Sequence, residues 1–464
     1  MNIKSFIILA SALATSSLFA DNLGVSSSDT YDIATKDKIA DVYAKEGVSD
    51  VNITVSADHI YYLFAGYNKN TSTPESVQKN ANYTLSGGAT IARKGESMIF
   101  GIRNTAGSSA TFTVKDGTYN LGCQNGLYYL EIMASSESSE KDTQKLIFDK
   151  TANVNVFSSD LKFGTNVGTI TEINGKLNVY AVQLPSLTKD VVVPTDAPYG
   201  KLTSYNSGKI VVGSSAEINA DNLYVVNSKW TVNGKLNLKT TSLTNAVNLT
   251  GNADVTFNSG SYLNIENDKR ILLQGNSKLT INDGATVEAQ YVRFGDQTGG
   301  QGAKLVLNGE NVLVTPKGYG KSSLLIVAGY KADISVAKTN SFASTSLSTN
   351  TAILLDLQFT GENDYIDFGN IYGAGVETDA IFKVKNFENN RIMGVIGSKI
   401  TATQLWLYDA TKGDYYQLNS DEFAWVSNGN GSYWLNLTTV PEPAEWAMIF
   451  GGIALALAIY RRRK

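Results

Sequence analysis

The sequence predicts an all-β chain folded as a parallel β-helix, with three short strands in each coil of about 24 residues. Three observations predict it: apolar and polar residues alternate over short runs, the runs recur at a nearly constant period, and an Asn returns at the same place in each repeat. The clearest repeats begin at Trp230 (WTVNGKLNL), Val255 (VTFNSGSYLNI), Leu279 (LTINDGATVEA) and Leu305 (LVLNGENVLV), with spacings of 25, 24 and 26 residues.

Each repeat opens with an apolar–x–apolar triplet: Trp230/Val232, Val255/Phe257, Leu279/Ile281 and Leu305/Leu307. Alternation at period two puts those side chains on one face of a strand. Asn233, Asn258, Asn282 and Asn308 follow the triplets. Asn tolerates the left-handed backbone of a tight corner, and stacked coils would let these amides hydrogen-bond in a ladder. A second alternating pair follows in each repeat: Leu236/Leu238, Leu263/Ile265, Val287/Ala289 and Val312/Val314. The third is Val247/Leu249, Ile271/Leu273, Val292/Phe294 and Leu324/Ile326. A β-sandwich would also give short strands, but it does not predict a recurring corner Asn.

The pattern is clearest over residues 205–330 and is expected to extend over 80–345. Upstream, ATIARKG from Ala89 and ATFTVKDG from Ala110 look like equivalent rungs, and INGKLNVY from Ile173 resembles VNGKLNLK from Val232. Residues 184–201 carry three prolines and read as a loop thrown out of one corner; residues 135–145 read as a second, polar loop. Residues 21–79 are expected to form an N-terminal cap, with a helix over 32–46 that gathers Ile33, Ile39, Val42 and Tyr43 on one face. From 346 to 439 the pattern loosens into aromatic-rich strands, either closing coils or a separate β domain.

Composition narrows the chemistry. One His and one Cys leave no multi-His or multi-Cys metal site and no disulfide framework, and no cofactor is expected. A net charge of −4 without an internal basic run lacks the footprint of a nucleic-acid binder.

The two ends carry addresses. MNIKSFIILASALATSSLFA has a Lys, an apolar stretch and small residues, the layout of a secretory signal peptide over residues 1–20 with cleavage after Ala20. The last residues, 440–464, join Pro441, Glu442 and Pro443 to an apolar stretch over 446–460 and then to Arg461, Arg462, Arg463 and Lys464. As a helix that stretch spans roughly 22 Å, a short membrane crossing framed by Trp446 and Tyr460, with the cations held in the cytoplasm. Losing Lys4 and the four terminal cations leaves the body more acidic, with no electrostatic reason to bind acidic polysaccharide without divalent cations.

These three parts, in this order and at this end, resemble a PEP-CTERM sorting signal. The resemblance is confined to about the last 25 residues. It implies recognition by an exosortase, a membrane-embedded enzyme, with cleavage near Pro441 to Pro443. It also implies a Gram-negative bacterial source, with the body reaching the cell surface or extracellular matrix.

No catalytic constellation emerges from the repeat. A polysaccharide lyase or hydrolase is the alternative to a structural or adhesive role, because such enzymes occur on β-helices. It needs paired carboxylates, or an acidic site beside a base, on outward positions of neighbouring coils. The outward positions, Asn237, Asn264, Glu288 and Leu313 on the second strand and Leu272, Arg293 and Leu325 on the third, assemble none. Glu288 and Arg293 read as a solvated surface pair, His59 as structural, and GENDYIDFG (361–369) as a turn rather than a calcium loop. An autotransporter passenger would need a C-terminal barrel of many strands where this chain has one apolar helix. The expectation is an exported protein that is not an enzyme, with exosortase as processing partner and exopolysaccharide or neighbouring surface proteins as ligands.

Overall fold

The computed structural model describes residues 21–438, apart from short internal segments of which 67–79 is the longest. The signal peptide, the Pro441–Pro443 triplet and the apolar and basic tail therefore lie outside the described residues. Within them the chain is all-β and contains no α-helix. Its strands assemble into three long sheets of 16, 9 and 18 strands, called here sheets one, two and three.

Pairing follows the repeat. Lys229–Val232 lies in sheet one, Lys235–Leu238 in sheet two and Asn245–Thr250 in sheet three. The next pass places Asp254–Phe257, Tyr262–Ile265 and Arg270–Leu273 directly beside them, all parallel. The register is the one the triplets predict: Trp230 faces Val255, Val255 faces Leu279 and Leu279 faces Leu305. This arrangement is consistent with a β-solenoid. The named triplet residues fill one continuous interior, where Trp230, Val232, Val255, Phe257, Leu279 and Ile281 are all buried. Trp230 also donates its Nε1–H to Ser204 Oγ at 2.8 Å, so its one polar atom is satisfied inside the core.

The expected corner ladder is present. Asn258 Nδ2 donates to Asn233 Oδ1 at 2.8 Å, Asn282 to Asn258 at 2.8 Å and Asn308 to Asn282 at 2.7 Å. Its backbone is not left-handed, however. In these repeats that conformation falls two residues later, at Gly260 and Gly284, and at a different corner, on Asn206, Asn227, Gly251 and Gly275. The ladder asparagines are there for their amides.

Several expectations are corrected. The helix over 32–46 does not form: Ile39–Ala44 is a strand whose Val42 faces Leu23 on one side and Ala65 on the other. Pairing across coils overrides local helical spacing. Parallel pairing begins at Asp21, so strands run through the segment assigned to a cap. Ala89–Arg93 belongs to sheet two and Thr111–Val114 to sheet one, so those two stretches are not equivalent rungs. Leu313, not Val312, faces Val287, because Asn311 adopts a left-handed conformation and shifts the register by one.

Ile173–Tyr180 and Val232–Leu238 are equivalent, as expected. Each turns at a glycine, and a Cβ on Gly175 or Gly234 would meet a carbonyl oxygen at 2.2 Å. The stretch 184–201 does leave the coil, but it folds back across sheet two. Leu184 packs there against Ala92 and Phe157. Beyond Val314 sheet two ends and the coils become two-sided. Ile353–Phe359, Thr378–Lys385 and Ile400–Asp409 nevertheless stay in parallel register with Lys331–Val336, so residues 346–409 continue the stack. Antiparallel strands Asp414–Gln417, Phe423–Ser427 and Tyr433–Leu437 finish it.

Candidate functional site

Outward positions of neighbouring coils stand about 4.8 Å apart, so a surface site on this fold is assembled from columns of side chains contributed by distant parts of the sequence. On sheet two the column is unusual. Thr90, Asn120, Asn155, Asn178, Asn219, Asn237 and Asn264 are successive partners across seven strands. Each amide Nδ2 from Asn155 to Asn264 donates to the Oδ1 of the Asn before it, at 2.8 to 3.4 Å. Asn120 donates in turn to Thr90 Oγ1 at 3.3 Å. The folded-back segment covers the first members. Asn120 also donates to the Lys189 carbonyl and Thr90 to the Thr188 carbonyl. This column bonds to itself along its length, and its first members are covered.

Of the outward residues singled out on this sheet, Asn237 and Asn264 are half-buried, while Glu288 and Leu313 are not solvated. Glu288 is buried beside this column and accepts a hydrogen bond from the Tyr262 hydroxyl, so it is not a solvated partner of Arg293. Leu313 is buried as well, and so is Leu272 on sheet three. His59 is buried, 6.0 Å from the Tyr61 ring. Asp364 accepts backbone N–H bonds from Lys338, Thr360 and Gly361, so the 361–369 segment begins as a turn and continues from Tyr365 into the strand Tyr365–Gly373. Cys123 lies in the core, where burial raises its thiol pKa. Ala20, Pro441, Glu442, Pro443, Arg461, Arg462 and Arg463 fall outside the described residues.

A groove of about 650 Å³ lies on the outer face of sheet three. Its central column runs Glu131, Lys162, Thr203, Tyr224 and Asn248, one residue from each of five adjoining strands. Tyr129, Tyr205 and Tyr224 present their rings to solvent at 42%, 51% and 39% exposure. The Lys162 ammonium lies 4.0 Å from the Tyr129 ring centroid, and Thr203 Oγ1 donates to Asp160 at 2.7 Å. Burial pushes the Glu131 carboxyl above its usual range, and the Lys162 charge pulls it part of the way back.

Flat aromatic faces interleaved with a few fixed donors and acceptors suit the two sides of a pyranose ring, apolar on its C–H face and hydroxylated at its rim. The sequence reading missed this groove because it searched only the regular repeat. Aligning Leu130/Ile132, Leu161/Phe163, Leu202/Ser204 and Leu223/Val225 as inward pairs would have placed Glu131, Lys162, Thr203 and Tyr224 side by side.

Among the described residues no three His, Cys, Asp or Glu side chains converge as a metal-holding group, and no helix is long and apolar enough to cross a membrane. No family model matches the chain, and neither does any curated protein or solved structure.

Proposed function

We propose that this is an exported β-helix protein of the cell surface or extracellular matrix, sorted and cleaved by an exosortase through its C-terminal signal, whose body works by display and attachment to polysaccharide. The observation that carries the attachment is the sheet-three groove: exposed Tyr205 and Tyr224 on a hydrogen-bonded parallel sheet, with exposed Tyr129 just ahead of its strand. A rigid backbone presents the rings without an ordering penalty on binding, the condition under which shallow sugar contacts add up.

Binding of the purified protein to a panel of neutral and acidic oligosaccharides tests the attachment. Tyr205→Ala and Tyr224→Ala should each weaken retention several-fold, and unchanged retention in both would remove the groove from the account. The intact mass of the protein from its native host tests the sorting: a chain ending near Pro441 to Pro443 supports it, and a chain still carrying Trp446 to Lys464 refutes it.

One observation favours the enzymatic alternative, a lyase or glycoside hydrolase acting on exopolysaccharide. Glu131, its proton retained toward higher pH, shares the groove with Asp160, Lys162 and Lys201. New reducing ends or unsaturated products from the same panel, abolished by Glu131→Gln, would replace attachment with turnover.

A further inference from the structure

Sheet one carries the opposite of an amide ladder on its outer face. Lys209 stands directly beside Lys229, and Lys278 directly beside Lys304. Like charges opposite one another on neighbouring strands destabilise a sheet. Among the described residues Lys209, Lys229 and Lys278 form no ion pair, and Asp254, which lies between Lys229 and Lys278 in the column, joins neither.

The same column continues into the two-sided coils through Asp333 and Asp356 to Lys383 and Trp406. There the acids are answered from within. Asp356 takes Lys331 Nζ at 2.8 Å and the Tyr415 hydroxyl at 3.2 Å, and Asp333 lies 3.8 and 3.9 Å from Lys331 and Lys304. Lys383 and Lys385 form no ion pair among the described residues and lie over rings, although the Lys385 charge also acts on Asp333 through space. Lys383 is 5.3 Å from Trp406 and 5.7 Å from Tyr415, and Lys385 is 4.4 Å from Tyr408. Beside them Leu354 and Ile381 floor a cavity of about 500 Å³ walled by Trp406.

A lysine-rich column in which Lys209, Lys229 and Lys278 form no ion pair among the described residues, leading to a ring-sized aromatic cavity, fits a polymer that is both acidic and built of pyranose rings. We propose that the outer face of sheet one binds a uronic-acid polysaccharide along the stacking axis. Its carboxylates meet the lysine column, and one sugar ring seats between Trp406 and the Leu354–Ile381 floor. The ligand class rests on the polysaccharide-attachment reading; the site shares no residue with the sheet-three groove. Nucleic acid is the less suitable polyanion, because Asp254, Asp333 and Asp356 interrupt the column and duplex DNA presents one phosphate per ~1.7 Å of axis.

The test titrates the full chain, purified in mild detergent, with oligogalacturonate, with a cello-oligosaccharide and with duplex DNA. Oligogalacturonate should bind, and more weakly as salt rises. The double change Lys229→Gln with Lys278→Gln should lower affinity about tenfold and flatten the salt dependence. Trp406→Ala should cost a further several-fold with short oligomers, and Trp406→Phe, which keeps a ring, should retain most of the binding. Equal binding of the neutral oligosaccharide, preferential binding of DNA through the same lysines, or no binding by any of the three would overturn the proposal. So would lysine variants that bind as the parent does. Loss of oligogalacturonate binding in Tyr224→Ala but not in the lysine variants would place the sugar in the sheet-three groove, sinking this proposal while sparing the attachment reading.

Discussion

The outer face of sheet two repeats one residue type along the stack, whereas that of sheet one sets lysine beside lysine at two steps, Lys209/Lys229 and Lys278/Lys304, with opposite physical meaning. On sheet two an Asn faces an Asn at every step from Asn120 to Asn264. An amide has both a donor and an acceptor, so each copy satisfies its neighbours and the row can be buried. On sheet one Lys faces Lys, and an ammonium is donor only. Where two lysines adjoin they repel each other, and Lys209, Lys229 and Lys278, without an ion pair among the described residues, are left to water or an outside anion. Repetition on sheet two is complete within the protein; on sheet one it is incomplete without a partner. Self-satisfaction thus separates the structural column from the one offered to a ligand.

The most damaging way to break this comparison is to put a charge in the amide row. Asn155→Asp aims a carboxylate oxygen at Asn120 Oδ1, which accepts from Asn155 at 3.1 Å, and leaves a buried charge answered only by the Asn178 amide on its other oxygen. Urea denaturation should show a loss of roughly 3 kcal/mol. The added acid would have a raised folded-state pKa, so stability should recover as pH falls and the carboxyl regains its proton.

Asn258→Ala, in the half-buried corner ladder, is milder. It removes the bonds to Asn233 and from Asn282 and should lower stability by about 1 kcal/mol, read as a shift of the urea midpoint at unchanged slope. Lys229→Gln reverses the sign. Relieving the repulsion from Lys209 should leave stability unchanged or raise it by at most ~0.5 kcal/mol, a gain that disappears in high salt. A clear loss of stability there would make the lysine column structural and erase the distinction.

Smallest of all is Glu131→Gln. Because burial raises the Glu131 pKa above its unfolded value, the ionised form burdens the fold at neutral pH and not under acid. The variant should melt slightly higher at neutral pH and match the parent below the unfolded carboxyl range, a difference that thermal melts at two pH values would resolve.

The middle of the fold was legible because its coils are uniform. With 25, 24 and 26 residues between repeats, the inward triplets at Trp230, Val255, Leu279 and Leu305 align by eye. Upstream the signal fades where coil length varies and where the 184–201 segment intervenes. The strand Ile39–Ala44 was hidden because its own spacing also suits a helix and its coils, at Leu23 and Ala65, lack the uniform repeat of the middle. Sites on this fold are harder to read, since their neighbours lie one whole coil apart. Glu131 and Lys162 meet across 31 residues. Lys209, Lys229, Lys278 and Lys304 each open a short strand, yet they are too scattered to register as a basic run. The net charge of −4 concealed a face on which cations are concentrated.

The amide rows have one more consequence. In the sheet-two row every donor reaches back toward the earlier coil, and the corner ladder from Asn308 to Asn233 runs the same way. Their dipoles therefore add instead of cancelling, with the positive ends toward the N-terminal coils, as peptide dipoles add along a helix. No single amide can turn over without leaving a donor facing a donor on one side and an acceptor facing an acceptor on the other. Each row is thus locked in one sense along its length, and a molecule assembled from nearly identical coils acquires an electrical direction along its long axis.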